Sequence, residues 1–398
     1  MEPLSLYIHI PFCRTKCPYC DFNTYANIEH MIDRYILALK NELIYWSKYL
    51  DITNKNKCIK TIFFGGGTPS YIPEQYIKDV MDLIKNQFDL EEDLEVSLEC
   101  NPNDLLSNKL IKWRESSINR LSIGAQSFSD KFLRVLGRDH NFNEISEGFS
   151  LARSLGFDNL SLDLIYGIPG QKLSDWKATI NQSLDLNPDH ISMYGLTIEK
   201  NTKFDWMVSE GLMPEPDSDI AADMYEYVEE IMCDKGYTHY EISNWSLPQK
   251  ESQHNLTYWY SRPYLGIGAG AHSYFQGLRF WNVNSPAEYI NLLEGTNILT
   301  TESNLQVKSG FCAVSDIEPY DFGTNRSDTF ILGLRLIDGI NKSKFPSNFF
   351  SMITKHYDEE INELINIGLL DLSKTSIKLT KRGRLLANEV FYKLLKDT

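Results

Sequence analysis

The chain has little of what marks secreted, membrane-spanning or disulfide-stabilised proteins. Its 398 residues include 7 cysteines, an odd number. No apolar run reaches the about 18 residues that a membrane-spanning helix needs. The sequence does not open with a charged segment followed by an apolar one, which is the pattern of a secretory signal. We therefore expect a cytoplasmic protein in a reducing compartment, without a disulfide framework.

Positive charge is also scarce. Lys and Arg total 39 against 54 Asp and Glu, which gives a formal net charge of −15. Such acidity disfavours broad contact with nucleic acid or with an anionic membrane surface. The sequence has no solenoid-type repeats and no low-complexity linker. Because 42% of the residues are hydrophobic and 12% aromatic, the chain can form a large core and more than one domain.

The chain does have one compact cysteine group near its start. Cys13, Cys17 and Cys20 have the spacing C-x3-C-x2-C and follow a short apolar run. Three thiolates can hold three irons of a [4Fe–4S] cluster, which normally takes four cysteines. The fourth iron would then lack a protein ligand, and an open coordination position marks a reactive metal site. The group therefore predicts a cluster that is presented to a small molecule.

A zinc site is the main alternative for these cysteines. Structural zinc usually takes its ligands in two pairs, and no second pair follows here. His9 is a candidate fourth ligand, although it alternates with apolar neighbours as a strand residue does. The remaining cysteines are scattered singly, and we interpret them as ordinary small core residues. They are Cys58, Cys100, Cys233 and Cys312.

The first half of the chain alternates short β-branched runs with amphipathic helical patterns. This alternation predicts an α/β fold with a parallel sheet. Six strand–helix units fit a partial (β/α)6-type barrel, with a doubly wound sheet as the alternative. The predicted strands cover 5–11, 59–64, 94–99, 120–125, 159–165 and 190–196. The predicted helices cover 30–50, 73–87, 105–116, 142–156 and 174–186.

After residue 200 the regular alternation stops. Residues 215–236 predict one helix, and a glycine- and aromatic-rich stretch fills 237–284. The tail predicts helices and a small hairpin around Ser373–Leu379, which resembles a winged-helix module. Because the whole chain is acidic, we favour a packing role for this module over DNA binding. We expect a barrel core over 1–200, a barrel-covering region over 201–325 and the winged-helix-like module over 326–398.

Each of the first five predicted strands carries, ends in or leads into polar, cysteine or glycine residues. In α/β barrels, ligands bind in the loops where the strands end. The glycines of Gly65–Pro69 (GGGTP) would let backbone groups approach a ligand. Side chains of Glu99, Gln126 and Asp163 could accept hydrogen bonds from an ammonium or from hydroxyls, and Arg138 could clamp a carboxylate. Singly, each also fits an ordinary turn, surface or buried polar residue; together they predict one site.

The cysteine group together with Gly65–Pro69 resembles the radical S-adenosylmethionine superfamily. In that superfamily the three cysteines hold a [4Fe–4S] cluster, and the methionine moiety of the nucleotide binds the open iron. One electron from the cluster then cleaves a C–S bond and yields a 5′-deoxyadenosyl radical. The resemblance therefore implies both cofactors and an electron-donor protein as a partner. The difficult chemistry belongs to the cofactors, and the protein supplies position and shielding.

A narrower resemblance covers nearly the whole chain. Tyr7–Cys13 (YIHIPFC), Leu121–Phe128 (LSIGAQSF) and Asp163–Gly170 (DLIYGIPG) resemble the oxygen-independent coproporphyrinogen III oxidase family. By that similarity, Tyr7 and Tyr19 flank the cluster and the nucleotide. Further residues that would line nucleotide sites are Gly66, Gly67, Thr68, Glu99, Gln126, Arg138 and Asp163.

The chain departs from the true oxidases of that family in two places. They carry a further cysteine where this chain has Phe22, and a longer segment before the first strand. Both departures match a sister branch of haem chaperones, which also carries the H-N-x-x-Y-W motif found here in His254–Trp259. This branch implies haem, an acceptor protein for haem and His254 as a candidate haem ligand. A hydrogen-bonded structural role is the alternative for His254.

Three functions therefore compete. The preferred one is a haem-binding carrier, for which peripheral contact with membrane proteins is a further expectation. The second is oxidative decarboxylation of coproporphyrinogen III to protoporphyrinogen IX. The third is a winged-helix regulator with a redox-sensing cluster, which the net charge of −15 disfavours. The run Gly266–His272 (GIGAGAH) does not open a sheet domain, so we interpret it as a tight loop near the mouth, with His272 a secondary ligand candidate.

Overall fold

A computed structural model describes the chain over residues 2–294, 313–319, 322–346 and 348–395. Its strands are mostly short, and those of the first half are largely buried. In chain order they are β1 (Leu4–Ile10), β2 (Phe12–Cys13), β3 (Tyr25–Ala26), β4 (Cys58–Gly66), β5 (Asp89–Cys100), β6 (Arg120–Gln126), β7 (Leu160–Tyr166), β8 (His190–Gly195), β9 (Thr238–Glu241), β10 (Asn244–Ser246), β11 (Tyr264–Ile267), β12 (His272–Phe275), β13 (Leu278–Asn282), β14 (Val314–Pro319), β15 (Ile340–Asn341), β16 (Leu370–Leu372) and β17 (Ser376–Leu379).

One sheet of 12 strands forms the main body, in the order β14-β13-β12-β11-β1-β4-β5-β6-β7-β8-β10-β9. The strands from β11 through β1 and β4 to β8 pair in parallel with their neighbours. Antiparallel strands extend the sheet beyond β11 on one side and beyond β8 on the other. The open (β/α) barrel predicted from strand–helix alternation is confirmed, and all six of its predicted strands are present.

Helices connect the parallel strands, as the alternation predicted. The first crossover helix, α1, lies between β1 and β4, and five later helices connect the following strands, with α4 and α5 both between β6 and β7. No helix in the described ranges is long and apolar enough to cross a membrane. In chain order the helices are α1 (Ile32–Ile52), α2 (Glu74–Gln87), α3 (Ser107–Glu115), α4 (Asp130–Val135), α5 (Phe142–Ser154), α6 (Leu173–Asp185), α7 (Lys203–Ser209), α8 (Ser218–Asp234), α9 (Gln253–Trp259), α10 (Pro286–Leu293), α11 (Phe322–Leu334), α12 (Phe349–His356), α13 (Asp358–Asn366), α14 (Lys381–Leu385) and α15 (Ala387–Leu394).

The loop interpretation of Gly266–His272 is wrong at both ends. Gly266 and Ile267 belong to β11, which pairs in parallel with β1, and His272 begins β12. A Cβ on Gly266 would collide with the carbonyl of His272, so only glycine fits where these two strands approach. The strand is only four residues long and includes a glycine, so hydrophobic periodicity could not reveal it.

The C-terminal residues form the predicted winged-helix-like module. The order is a helix (α11), a strand (β15), two helices (α12 and α13) and the hairpin β16–β17, with the strands paired as β15-β17-β16. The apolar core of the module is extended by partly buried Leu256, Trp259 and Tyr260, from α9 and the residue after it. The guanidinium of Arg335 lies 4.5 Å from the ring centre of Trp259. The module therefore packs against the segment that carries the H-N-x-x-Y-W motif.

The interpretation of all four scattered cysteines as core residues is wrong for two of them. Cys100 is buried in β5, but Cys58 is only half-buried and Cys233 is exposed. The buried side chains of α8 follow a helical stripe, and Cys233 lies off that stripe, on the solvent side. Cys312 lies outside the described residues.

Candidate functional site

The cysteine loop follows β1 and is closed by a short parallel ladder between β2 and β3. The loop after β4 holds it from the other side, because the N–H of Gly67 donates to the carbonyl of Ile10 at 2.8 Å. The N–H of Thr68 likewise donates to the carbonyl of Phe12 at 2.9 Å. The glycine-rich run and the cysteine group are therefore parts of one local structure.

The three thiols are unpaired and lie close to each other. Cys13 is buried, whereas Cys17 and Cys20 are half-buried. Burial raises the pKa of the Cys13 thiol, and the nearby sulfurs of Cys20 and Cys17 raise this pKa further. The hydrogen bond from Thr68 Oγ1 to Cys13 Sγ, at 3.6 Å, opposes this effect and favours the thiolate, which is the form that binds metal. Arg138 Nη1 donates a further hydrogen bond to Cys17 Sγ at 3.4 Å.

This donor set fits a [4Fe–4S] cluster. A cluster takes each thiolate on a different iron, so the three sulfurs need to line a common space and need not converge on one point. All three cysteines line the same cavity. In the part of the chain that the structure describes, no group of three His, Cys, Asp or Glu is gathered as the ligands of a single ion are.

One cavity of about 650 Å³ opens at the carboxyl ends of the parallel strands. The structure brings to its wall every residue that the sequence nominated for the cluster, the nucleotide or haem, except the secondary ligand candidate His272. Their contacts with any ligand stay a prediction. These lining residues are Tyr7, Cys13, Cys17, Tyr19, Cys20, Gly66, Gly67, Thr68, Glu99, Gln126, Arg138, Asp163 and His254.

Two acidic side chains that line this cavity have raised pKa values. Burial raises the pKa of Glu99 to about 7, and the neighbouring Asp163 contributes to the rise. Burial also raises the pKa of Asp163, although Ser122 Oγ donates to its carboxylate at 2.9 Å. The N–H of Gly66 donates to Glu99 at 3.0 Å, which fixes this carboxyl beside the glycine-rich run. The cavity can therefore take a ligand that carries an ammonium or hydroxyl groups.

Arg120 also lines this cavity, and the sequence did not nominate it. Its side chain is only 2% exposed, and its charge lowers the pKa of both Glu99 and Asp163. Its Nε is buried without a hydrogen-bond partner. The signal in the sequence was a single arginine at the start of a predicted strand, where a surface position is the usual interpretation.

Helix α9 lies deeper in the barrel, under the cavity. Ser5, Thr61 and Glu95 lie opposite each other in one row across β1, β4 and β5. The carboxylate of Glu95 accepts hydrogen bonds from the N–H groups of Gln253 and His254, both at 3.0 Å. A carboxylate at these unpaired N–H groups stabilises the start of a helix. The barrel strands therefore position the H-N-x-x-Y-W motif directly.

His254 is enclosed within this arrangement. Its ring is 1% exposed and is stacked on Phe63 at a centroid distance of 5.1 Å. Nδ1 is hydrogen-bonded to Thr61 Oγ1 at 2.7 Å, and Nε2 to the hydroxyl of Tyr258 at 2.8 Å. Burial and the charge of Arg120 lower the pKa of His254 to about 3, so the ring is neutral. Its assignment as a haem ligand stays a prediction, and in this arrangement both ring nitrogens are occupied.

The Gly67→Ala substitution tests how closely the two loops must approach. A Cβ at this position would lie 2.7 Å from the carbonyl oxygen of Phe12 and 3.0 Å from Cys13 Sγ. Such distances force the cysteine loop to move, because real Cβ contacts are longer. We expect several-fold less cluster after anaerobic reconstitution, measured by iron and sulfide content. Circular dichroism should remain that of the wild type, and an unchanged cluster yield would contradict the role given to this contact.

Comparison with known proteins agrees with this geometry. The model of the radical SAM superfamily matches residues 7–182, and the model of the HemN C-terminal domain matches residues 326–386. The heme chaperone HemW of Bacillus subtilis (strain 168) is 37% identical over 395 residues, which cover 97% of this chain and 98% of that protein. The chain belongs to the HemW family. The heme chaperone HemW of Escherichia coli (strain K12) is 33% identical over 397 residues, which cover 98% of this chain and 97% of that protein.

A solved structure shows the same fold as this HemW-family chain. Coproporphyrinogen III oxidase (HemN) from Escherichia coli, described as a radical SAM enzyme, aligns with a TM-score of 0.80 at 22% identity. The alignment covers 98% of this chain and 90% of that chain. The fold likeness therefore extends through the sheet and the C-terminal module of this HemW-family chain.

Proposed function

We propose that this HemW-family chain is a haem chaperone, which binds haem as cargo and passes it to an acceptor protein. It would do so with a [4Fe–4S] cluster on Cys13, Cys17 and Cys20 and with S-adenosylmethionine beside the cluster. The observation that carries the proposal is the single cavity on which the cysteines and the nominated nucleotide residues meet, in a chain of HemW length and sequence.

The residues of the cavity have distinct roles in this proposal. Gly66 and Gly67 let the backbone approach the nucleotide, because they carry no side chain. A Cβ would lie 2.5 Å from the His9 ring at Gly66 and 2.7 Å from the Phe12 carbonyl oxygen at Gly67. Glu99 and Asp163 accept hydrogen bonds from its ammonium and hydroxyl groups. Arg138 donates a hydrogen bond to the sulfur of Cys17 at 3.4 Å, which would hold this cluster ligand in place. When bound, the cluster and the nucleotide together supply one-electron chemistry, for which an electron-donor protein is the expected partner.

We place the protein in the cytoplasm. The six cysteines that the structure describes are free thiols, including exposed Cys233 and half-buried Cys17, Cys20 and Cys58. Thiols of this kind persist where glutathione and thioredoxin keep cysteines reduced. The same conditions suit an oxygen-sensitive cluster.

Haem binding followed by haem transfer is the direct test of the carrier function. We expect anaerobically reconstituted protein to bind about one haem per chain, seen as a shift of the Soret band. On mixing with apomyoglobin as a probe acceptor, the Soret band should change to that of myoglobin faster than free haem loss allows. Absence of stoichiometric haem binding would contradict the proposal.

A parallel incubation separates the carrier from the second candidate function. The reconstituted protein is given coproporphyrinogen III, S-adenosylmethionine and dithionite without oxygen, and the products are separated by chromatography. We expect no protoporphyrinogen IX above the level of a protein-free control. Robust product formation would establish the decarboxylase function in place of the carrier.

A further inference from the structure

A second cavity, of about 610 Å³, adjoins the first. The two cavities share Tyr7, Phe22, Gly66, Glu99 and Tyr258 as lining residues. A ligand in the second cavity would therefore contact the same wall that faces the cysteines. A volume of several hundred cubic ångströms is typical of sites for large organic ligands.

The antiparallel extension of the sheet contributes several residues to the lining of the second cavity. Pairing sets Tyr264 opposite Tyr274, Tyr274 opposite Arg279, and His272 opposite Trp281. Because side chains of a strand alternate between its faces, these residues share one face. Ser273 and Phe275 of β12 point the other way and are buried.

The lining also includes Tyr258 and Trp259 from α9, and Leu332 from α11 of the C-terminal module. Tyr258 contacts Tyr264, with ring centroids 4.7 Å apart. Aromatic rings from both α9 and the sheet extension suit a flat conjugated ligand, since large planar groups pack well against them. Arg279 adds a guanidinium at the wall, ion-paired with Asp328 at 2.9 Å, where it would attract carboxylate side groups of the ligand.

The histidines of the two cavities differ in whether their ring nitrogens are occupied. His9 is hydrogen-bonded to the Tyr7 hydroxyl at 3.1 Å and to the Asn23 carbonyl at 2.9 Å. His254 is also bonded at both nitrogens. By contrast, the ring of His272 is exposed and makes no hydrogen bond among the described residues. Within the described ranges, the ring contact of His272 is stacking on Trp281, with centroids 5.4 Å apart, which leaves the ring edge accessible.

We propose that the second cavity is the haem site and that His272 is the axial ligand of the haem iron. The proposal rests on the haem-carrier function and adds the place and the ligand. His254 then has a positioning role, since it fixes the hydroxyl of Tyr258 on the shared wall through the 2.8 Å hydrogen bond. Partial burial lowers the pKa of His272, and Arg279 lowers it further. The imidazole is thus neutral near pH 7, which is the form that binds iron.

The test compares His272→Ala with two other histidine variants in the full-length, reconstituted protein. The probe is iron(III) haem, and the readouts are the Soret position, the electron paramagnetic resonance of the haem iron and the Kd. His272→Ala should lose the imidazole signature and raise the Kd by at least about tenfold, because even indirect changes around a metal ligand cost 10–100-fold in affinity. Imidazole added to the buffer should restore the signature in His272→Ala.

His30→Ala is the control, and His254→Gln tests the alternative ligand. His30 is exposed and lines neither cavity, so its variant should behave as the wild type. His254→Gln should keep the imidazole signature, with cluster absorption reporting that the barrel is intact. Retention of the wild-type signature in His272→Ala would overturn the ligand assignment alone and leave the carrier function standing. Loss of the imidazole signature in a folded His254→Gln protein, but not in His272→Ala, would also overturn the ligand assignment alone. A wild-type protein that binds no haem would overturn both the ligand assignment and the carrier function.

Discussion

Replacing Cys17 by alanine is expected to reduce the [4Fe–4S] content of the reconstituted protein to near zero. The proposed cluster has only three protein ligands, so the loss of one leaves two irons without a thiolate. Cys17 is half-buried and accepts a hydrogen bond from Arg138, so its removal leaves no large void in the core. Iron and sulfide analysis, together with the visible absorption of the cluster, would measure the effect after anaerobic reconstitution.

Cys233→Ala is the matched control for this substitution. Cys233 is an exposed free thiol on α8 and lies outside both cavities. Its variant should retain the cluster content of the wild type. Full cluster content in Cys17→Ala, or about one zinc per chain in the wild-type protein, would contradict the cluster assignment and with it the proposed function.

The barrel strands could be predicted because their sequences are set by burial on both faces. Residues 160–166, for example, are nearly all apolar, and parallel strands covered by helices require this. The positions of polar residues at the strand ends followed from the same pattern. Since parallel strands end at one edge of a sheet, Glu99, Gln126 and Asp163 could be placed on one cavity before any distance was known.

The edges of the sheet could not be predicted in the same way. Joining β11 to β1 pairs residues such as Tyr264 and Ser5, which are far apart in sequence. That pairing depends on tertiary contacts and leaves little periodic signal in four residues. The face that carries His272 and Tyr274 likewise exists only because β12 pairs with its neighbours.

The roles of individual site residues were harder to foresee than their location. The motif around His254 indicated haem, but its hydrogen bonds to Thr61 and Tyr258 come from a strand and a helix that meet only in the folded chain. Arg120 was missed because its proximity to Glu99 and Asp163 depends on the register of three neighbouring strands. Burial and partners decide the chemistry of such side chains, and neither can be read from residue type alone.

The affinity for S-adenosylmethionine is expected to rise about sevenfold between pH 6 and pH 7.5 because of Glu99. Burial, with Asp163 nearby, raises the pKa of this carboxyl to about 7 in the folded protein. Its ionised fraction therefore grows from about one tenth at pH 6 to about three quarters at pH 7.5. The ligand's ammonium keeps most of its charge over this range, since α-amino groups titrate near about 8. Titration calorimetry of the reconstituted protein at several pH values would measure this slope.

Glu99→Gln should remove most of the slope and weaken binding at pH 7.5 by about tenfold or more, since a charge-assisted hydrogen bond contributes about 1.5–3 kcal/mol. Glu42→Gln is the matched control, because burial also raises the pKa of Glu42 to about 7 but this residue lines neither cavity.

In the ligand-free protein, the free energy of unfolding should change with pH in the opposite direction to the ligand affinity. Between pH 4.5 and 7 the folded state keeps protons that the unfolded chain releases, so these raised pKa values lower the free energy of unfolding as the pH rises. If the pH dependence of S-adenosylmethionine affinity persists in Glu99→Gln and disappears in Glu42→Gln, the ammonium of the ligand does not face Glu99.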